Sequence, residues 1–484
     1  MLLIIFFSVL LLSGISLYLN NSILSILLLI GASVIWFYLF FYKKIKFKSH
    51  LMLLLLYVTL RILFMHAEPF YEDDYYRYVW DGIVGSNIDN PLIIAPEEVL
   101  EQQSIDGSNK LRQALTEERS GYLSSDDELN YLLTNINYPE SPSIYGPVAQ
   151  LFLAFQSLLF DALKSLGLIS DLIKNRIIFL QLIFLIVECL AIYVFNQCLI
   201  HLRLSNHLLY AFCFCPLLLK EVANSIHIDV LSMCLSLQAF LSCLRNQRFM
   251  SAFFLSAALC VKSYALVLVP IFFLKLKFSK LFMILIVCII SMFYMPFLLT
   301  GTEEIWAGTR YFSLCWSMND FFTAQIRELL YHSFNLQTLE KIIFPIGNFW
   351  VSEVQLFSRL IGLGCFAILY LWYLLPYIKS ELDESTFLRL VSLSLFGVVY
   401  FSPVQNPWYL LWGLPFYILA CHIPILFLVS LSQFYLFNFV YEATTHFYHP
   451  FQWWVLVPHS FFIGFTILYF KCPHIFNRRK LISV

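Results

Sequence analysis

The sequence predicts an all-α, polytopic integral membrane protein with roughly 11–14 transmembrane helices, and three observations support this class. Hydrophobic residues make up 60% of the 484 residues and charged residues only 13%, so the chain is far more apolar than an ordinary soluble domain. Apolar runs near the ~20 residues that cross a bilayer recur along the chain. These runs are continuous, which favours helices over the alternating strands of a membrane barrel. They lie at residues 2–19, 23–41, 51–65, 145–163, 177–200, 226–244, 281–300, 354–377, 387–401, 408–420, 423–441 and 453–470.

Basic residues in short connections predict the orientation, because lysine and arginine concentrate on the cytoplasmic side of membrane proteins. The clusters within residues 43–48, 164–176, 245–248 and 478–480 are therefore expected in the cytoplasm, together with both termini. Residues 67–144 are then extracytoplasmic. They form the one large hydrophilic segment, with 16 acidic residues against four basic ones.

One segment conflicts with this alternation of sides. Residues 208–219 are too short to span comfortably, and counting them as a crossing would put Arg245 on the wrong side. A re-entrant half-helix that enters from the outer side is therefore predicted here. A second interruption separates residues 249–261 from 265–274, with Lys262 between them. Irregular backbone at membrane depth is tolerated where it lines a cavity, so both breaks are candidates for a site.

These observations divide the chain into five regions. They are N-terminal transmembrane helices at residues 1–66, the large outer loop with the catalytic motif at 67–144, a central transmembrane module with re-entrant or broken helices at 145–300, a second outer loop at 301–349, and C-terminal transmembrane helices at 350–484.

Carboxylates and aromatic side chains alternate in residues 68–82, directly after a predicted transmembrane helix. Adjacent carboxylates repel one another, so one of them is a candidate base, and the aromatic faces and hydroxyls suit a sugar. An interfacial aromatic belt would explain the tyrosines and tryptophan but not the packed acids. The candidate site residues from this stretch are Glu72, Asp73, Asp74, Arg77, Tyr78, Trp80 and Asp81.

Six residues that come later in the chain complete the candidate site. Lys262 lies within an apolar stretch, where an unpaired charge costs ~3 kcal/mol, so it requires an anionic partner, contacts a phosphate, or snorkels to the interface. His227 and Asp229 are two residues apart, which puts them on different faces of a helix and argues against a shared metal. The cysteines show no zinc-like spacing, and no metal, cofactor or disulfide is expected, although a need for a divalent metal stays open. The remaining candidates are Tyr145, Trp408 and Tyr409.

Taken in order, these motifs resemble the GT-C superfamily of membrane glycosyltransferases, in its bacterial, mannosyltransferase-like branch that uses polyprenyl-phosphate sugars. Residues 74–82 resemble the first outer-loop motif of that branch. Later matches are the loop exit at 145–147, a helix start at 227–229, a lysine-proline-type break at 262–264 and the late outer motif at 406–409. Leu92, Gly146 and Ser263 depart from the pattern and leave the substrate less defined than the reaction.

This resemblance implies a GT-C-like fold and a specific reaction. A mannose-like hexose would move, with inversion, from a polyprenyl-phosphate donor to a hydroxyl acceptor on the extracytoplasmic face of a bacterial inner membrane. Asp74 would be the base, with Asp73 as second candidate, while Arg77 and Lys262 would stabilise the leaving phosphate. The acceptor, whether glycan, lipid or protein, stays open, and no nucleic acid is expected as partner.

Two other classes of protein fit parts of the sequence. A transporter or lipid flippase would also have many helices, a broken segment and an intramembrane lysine, but it would leave the outer loop without a role. A structural or assembly subunit would explain the loop as a binding surface but not Lys262.

Overall fold

The computed structural model describes residues 2–19, 21–44, 50–70, 73–86, 90–101, 126–300, 305–334, 343–346, 349–438, 440 and 452–471. Helices dominate these residues and confirm the all-α class. Their bounds are Leu2–Tyr18, Ser22–Phe37 with a π-helical end at Tyr38–Tyr42, His50–His66, Asp74–Ser86, Pro96–Glu101, Asp126–Thr134, Pro147–Ser165, Ile173–His201, His207–Cys213, Pro216–Leu218 with a π-helical end at Leu219–Asn224, Asp229–Leu244, Arg248–Leu259, Leu268–Lys275 preceded by the 3₁₀ turn Ser263–Val267, Lys280–Thr300, Ala307–Cys315, Phe322–Phe334, Glu353–Leu374 with the 3₁₀ end Leu375–Tyr377, Glu384–Phe401, Leu414–Leu419 preceded by the 3₁₀ segment Pro407–Trp412, Ile423–Leu431 with the 3₁₀ end Ser432–Leu436, and Trp453–Lys471. Strands Ile343–Ile346 and Phe349–Ser352 pair as an antiparallel hairpin.

The helices form a bundle whose lipid-facing surface is apolar. Among the described residues, six helices are long and apolar enough to cross a membrane, and six shorter apolar helices accompany them. Two broken segments, residues 207–224 and 407–419, also run from one end of the bundle to the other. Together with the twelve helices they make fourteen such segments among the described residues. Leu299 and Trp372 on the outside are 77% and 72% exposed, which suits a bilayer as solvent.

The bundle has two ends, which are named here by their residues. The site end carries Asp74 and Lys262, and the basic end carries Lys44 and Arg245. The long helix Ile173–His201 connects the two. Gln181 near its start donates to the Asn224 carbonyl at 3.4 Å, and Gln197 near its finish accepts from Arg245 at 3.1 Å.

The prediction that residues 145–163 cross the membrane is wrong. The helix Pro147–Ser165, called here the lateral helix, runs beside Asp74–Ser86, called the motif helix, and in the same direction. Gln150 donates to Asp81 at 3.0 Å, and Ser86 donates to Ser157 at 3.4 Å further along. A side chain at Gly82 would meet the Leu153 carbonyl at 2.8 Å, so the two helices approach closely. The lateral helix leads into the start of the long helix, so it begins and ends at the site end.

An amphipathic composition explains why the lateral helix does not cross. Leu151, Phe155 and Leu158 are exposed on one side, whereas Gln150 and Gln156 are buried on the other. Its buried polar side chains bind the motif helix and the loop exit, and it is not among the described helices that are long and apolar enough to cross a membrane.

The basic cluster after the lateral helix is consequently at the site end and not at the basic end. Lys164 pairs with Asp171 at 2.6 Å, and Arg176 pairs with Asp161 at 2.7 Å and with Asp171 at 2.9 Å. The predicted position of this cluster, at the same end as the other basic clusters, is wrong because it counts the lateral helix as a crossing.

The predicted re-entrant half-helix at residues 208–219 is also wrong, although the predicted break is confirmed. Arg61, midway along His50–His66, donates to the Cys213 carbonyl at 2.8 Å and pairs with Glu188. At the site end, Asn224 donates to the carbonyls of Phe64, Ala67 and Glu68 at 3.1–3.2 Å. The start of the segment 207–224, the helix His207–Cys213, contacts the π-helical end Tyr38–Tyr42 next to Lys44, and its end contacts the end of His50–His66. The segment therefore runs from the basic end to the site end and counts as a crossing.

This topology predicts the side from which the connection after the lateral helix is accessible. In a background without native cysteines, Ser170→Cys in membrane vesicles is expected to react with an impermeant maleimide from the same side as Glu140→Cys, and from the side opposite to Gln247→Cys. All three positions are exposed. If Ser170→Cys and Gln247→Cys react from one side, the lateral helix crosses the membrane and this topology is incorrect.

Candidate active site

A cavity of about 790 Å³ opens at the site end of the bundle. Its walls come from parts of the chain that are distant in sequence: the start of the motif helix, the loop exit before the lateral helix, the break at Lys262, the segment 311–318 and the late motif at 406–409. Its volume is within the range of ligand-binding clefts. Seven predicted site residues line it, namely Asp73, Asp74, Arg77, Tyr145, Lys262, Trp408 and Tyr409.

Asp74 is the first residue of the motif helix and points its carboxylate into this cavity. The Tyr145 hydroxyl donates to Asp74 Oδ2 at 3.1 Å, and the Tyr78 hydroxyl is 3.5 Å from the same oxygen. Asn137 Nδ2 donates to Asp74 Oδ1 at 3.2 Å and also to Asp73 Oδ1. The Asp74 side chain is still 18% exposed, so it is oriented by its neighbours yet reachable from the cavity.

Arg77 shapes the cavity wall through the backbone of the loop exit. Its guanidinium donates to the carbonyls of Asn137, Tyr138 and Ser141 at 2.8–3.0 Å. Burial lowers the pKa of Arg77, while the nearby Asp81 acts in the opposite direction. These donors are directed at the chain itself, so the expected contact between Arg77 and a phosphate is not built into this arrangement.

Trp80 and Asp81 lie further along the motif helix and do not line the cavity. Both are fully buried. Asp81 Oδ2 accepts hydrogen bonds from Ser143 Oγ at 2.5 Å and from Gln150 Nε2 at 3.0 Å, which tie the helix to the loop exit. Phe70, Tyr75, Tyr76 and Tyr78 are also buried, so the described aromatic residues of this stretch are core residues and not an interfacial belt.

Lys262 has the anionic partner that the sequence analysis requires. Its Nζ lies 2.9 Å from both carboxylate oxygens of Asp229, and the Trp412 indole N–H donates to Asp229 as well. The Lys262 side chain is 14% exposed, and its ammonium lies 5.0 Å from the Tyr409 ring centroid and 5.4 Å from that of Tyr145. The charge is thus balanced on its buried side and faces the cavity over aromatic rings.

The loop exit packs directly onto the break at Lys262. The Gly146 N–H donates to the Val261 carbonyl at 3.2 Å, and the Val148 N–H donates to the Cys260 carbonyl at 3.0 Å. A side chain at Gly146 would meet the Cys260 carbonyl oxygen at 2.3 Å. Glycine at this position, where the resemblance expected proline, therefore permits a close backbone contact that brings Tyr145 next to Lys262.

His227 lies behind the cavity and supports its wall. Its ring stacks on Trp408 at 4.0 Å between centroids, its Nε2 is 3.2 Å from Glu221 Oε2, and its Nδ1 is 3.9 Å from Asp74 Oδ2. His227 precedes the helix that starts at Asp229. Within the described ranges, no group of three His, Cys, Asp or Glu residues is arranged to hold a metal ion.

The structure thus sorts the predicted residues by distance from the cavity. Tyr78, His227 and Asp229 form a buried layer behind the lining residues, and Trp80 and Asp81 lie further away. Glu72 lies outside the described residues. The sequence did not lead to Asn137, which orients Asp73 and Asp74, or to Trp412, which orients Asp229. Both residues lie in stretches of sequence that already contained a predicted motif. Their polar or indole side chains next to those motifs were the signal that could have identified them.

One family comparison bears on this site. Residues 131–277 match a family model described as Alpha-(1->6)-mannopyranosyltransferase, N-terminal domain. This part of the chain is therefore similar to a mannosyltransferase domain. The match covers less than a third of the chain and includes Tyr145, His227, Asp229 and Lys262, but not Asp74 or the late motif. It supports the resemblance to mannosyltransferase-like membrane glycosyltransferases. No curated protein and no solved structure shows a significant match to this chain.

Asp81 predicts a pH dependence of stability. Burial raises its pKa from 3.8 to about 6, so the folded state holds this proton more tightly than the unfolded state. The resulting stabilisation is complete below about pH 4 and disappears as the pH rises through about 6, a loss of about 3 kcal/mol. In detergent, the melting temperature of the wild type should therefore fall between pH 4 and 7, relative to that of Asp81→Asn. If the melting temperatures of the wild type and of Asp81→Asn change with pH in parallel, the raised pKa does not belong to Asp81. Asp127→Asn, at an exposed position, is the control.

Proposed function

We propose that this mannosyltransferase-type chain moves a hexose from a polyprenyl-phosphate donor to an acceptor hydroxyl, in a cavity that faces the extracytoplasmic side. The observation that carries the proposal is that Tyr145 contacts both the proposed base and the proposed cation. Its hydroxyl donates to the exposed carboxylate of Asp74, while its ring lies beside the ammonium of Lys262. A base and a cation thus face one cavity, which is what transfer from a phosphate leaving group requires.

Asp74 is the proposed base. Its carboxylate accepts the proton of the acceptor hydroxyl while the acceptor oxygen attacks the anomeric carbon of the sugar. Tyr145, Tyr78 and Asn137 orient the carboxylate, so little reorganisation is needed before the proton moves. Asp73 lines the same cavity and shares Asn137, which keeps it as the second candidate.

Lys262 is the proposed stabiliser of the leaving group. As the bond between the anomeric carbon and the phosphate oxygen breaks, the electron pair goes to that oxygen and polyprenyl phosphate gains a negative charge. An ammonium that is aimed into the cavity before the reaction stabilises this charge. Asp229 is fully buried behind Lys262 and serves to position it.

Attack on the face opposite the leaving phosphate would invert the anomeric centre. A single displacement needs one base and no covalent intermediate, in line with the logic of inverting glycosidases. The aromatic walls at Trp408, Tyr409 and Trp316 offer flat surfaces for sugar rings. Assignment of the product anomer by NMR tests this point, and a retained configuration would overturn it.

Removal of the base predicts a large loss of transfer activity. With a radiolabelled polyprenyl-phosphate mannose and a panel of hydroxyl acceptors, Asp74→Asn is expected to lower kcat by about 10²–10⁴-fold, as for other general bases. Asp73→Asn is the parallel variant, and exposed Asp127→Asn is the matched control. Full activity of both Asp74→Asn and Asp73→Asn would exclude this site. Transfer from a nucleotide sugar but not from the lipid donor would refute the proposed donor.

The Lys262 pair allows stability and catalysis to be separated. Lys262→Gln alone leaves Asp229 buried without its cation and should cost about 3–5 kcal/mol of stability. The double variant Lys262→Gln, Asp229→Asn removes both charges and is expected to recover most of the melting temperature, because Asn still accepts from Trp412. Transfer activity of the double variant should nevertheless stay low. Wild-type activity in the double variant would show that Lys262 acts only through the fold.

A further inference from the structure

A second cavity, of about 830 Å³, lies at the basic end of the bundle. It is called here the basic-end cavity. It is bounded by the connection after the long helix, by the start of Glu384–Phe401, by the turn at Cys421 and by the last turns of Trp453–Lys471. None of its lining residues belongs to the proposed active site.

The outer rims of the two cavities lie about a membrane thickness apart. Glu384–Phe401 contributes Leu388, Leu393 and Phe396 to the basic-end cavity, and residues that follow its other end reach the active-site cavity at Asn406. Its 18 residues span about 27 Å, close to the ~30 Å of a hydrocarbon core. The basic-end cavity therefore lies where lipid headgroups of the opposite leaflet would be.

The deeper walls of this cavity are apolar. Leu388, Leu393, Phe396 and Phe462 line them, on helices that expose other apolar side chains to the outside. A hydrocarbon chain in contact with these helices would enter the cavity without leaving an apolar environment.

The rim of the same cavity is cationic. Lys44 and Arg389 both belong to the lining, and they face the same turn, because Lys44 acts electrostatically on Cys421 and Arg389 acts on the adjacent His422. Two acids lie near the rim: Glu384, whose Oε1 lies 3.2 Å from His201 Nε2, and Asp383, which acts electrostatically on Arg389. The rim thus offers two positive groups above an apolar interior.

We propose that the basic-end cavity binds an anionic diacyl phospholipid, with the phosphate at Lys44 and Arg389 and one acyl chain along the apolar walls. Basic pockets between transmembrane helices are known to recognise anionic headgroups, and the basic end is the end that the lysines predict to be cytoplasmic, where anionic lipids are enriched. The cavity volume suits one chain and a headgroup rather than a bilayer patch.

The test is native mass spectrometry of the full-length protein in detergent, titrated with phosphatidylglycerol or phosphatidylcholine. Wild type is compared with the double variant that carries both Lys44→Gln and Arg389→Gln. The control is a second double variant, Arg248→Gln with Lys277→Gln, which removes the same charge from exposed positions at the same end. A third variant, Ala420→Phe, fills the apolar part and leaves both cations in place. Circular dichroism melting checks that every variant is folded.

The proposal expects wild type to retain one phosphatidylglycerol in preference to phosphatidylcholine. At about 1 kcal/mol for each cation, the double variant of Lys44 and Arg389 should bind phosphatidylglycerol about 30-fold more weakly than wild type does. The control double variant should bind it as wild type does. Ala420→Phe should also weaken binding. Equal weakening by the control pair, equal retention of phosphatidylcholine, or tighter binding of polyprenyl phosphate at Lys44 and Arg389 would each overturn the proposal, and none of these outcomes bears on Asp74.

Discussion

The ion pair between Lys262 and Asp229 is the interaction on which the architecture of the site end depends. Asp229 is fully buried and Lys262 nearly so, and neither charge is tolerated alone within an apolar bundle. Lys262 adopts an extended backbone between two helical pieces, and Asp229 starts a helix. Since Trp412 also donates to Asp229, three interruptions from distant parts of the chain meet at one carboxylate. The broken helices and the active-site cavity therefore have a common cause.

The motif helix divides its polar residues between chemistry and support. Asp74 at its first turn faces the cavity, whereas Arg77 and Asp81 bind the backbone and side chains of the loop exit. This support holds Tyr145 where its hydroxyl reaches Asp74 and its ring reaches Lys262. A helix can do both because residues three or four apart lie on nearby faces, while the remaining positions turn inward.

Two errors in the predicted topology compensate for each other. Counting the lateral helix as a crossing inverted the side of residues 164–176, and a re-entrant segment at 208–219 was then needed to return Arg245 to the basic end. The structure removes the first crossing and completes the second, so Arg245 lies at the basic end of the bundle. Hydropathy does not separate these cases, because the lateral helix has one apolar face and the segment 207–224 contains Lys220 and Glu221, which pair with each other inside the bundle at 3.5 Å. Arg61 and Asn224 add hydrogen bonds between this segment and the helix His50–His66.

The sequence by itself determined the all-α membrane class, the candidate acids, and the need of Lys262 for an anion, because these follow from composition and from the cost of a charge in an apolar run. Tertiary structure alone decided that Asp229 is that anion, that Arg77 serves the backbone, and that Trp80 and Asp81 lie away from the cavity. The physical reason is that partners distant in sequence, such as Asp229 and Trp412 at a separation of 183 residues, leave no local pattern. Only packing shows which face of a helix meets a cavity and which meets its neighbour.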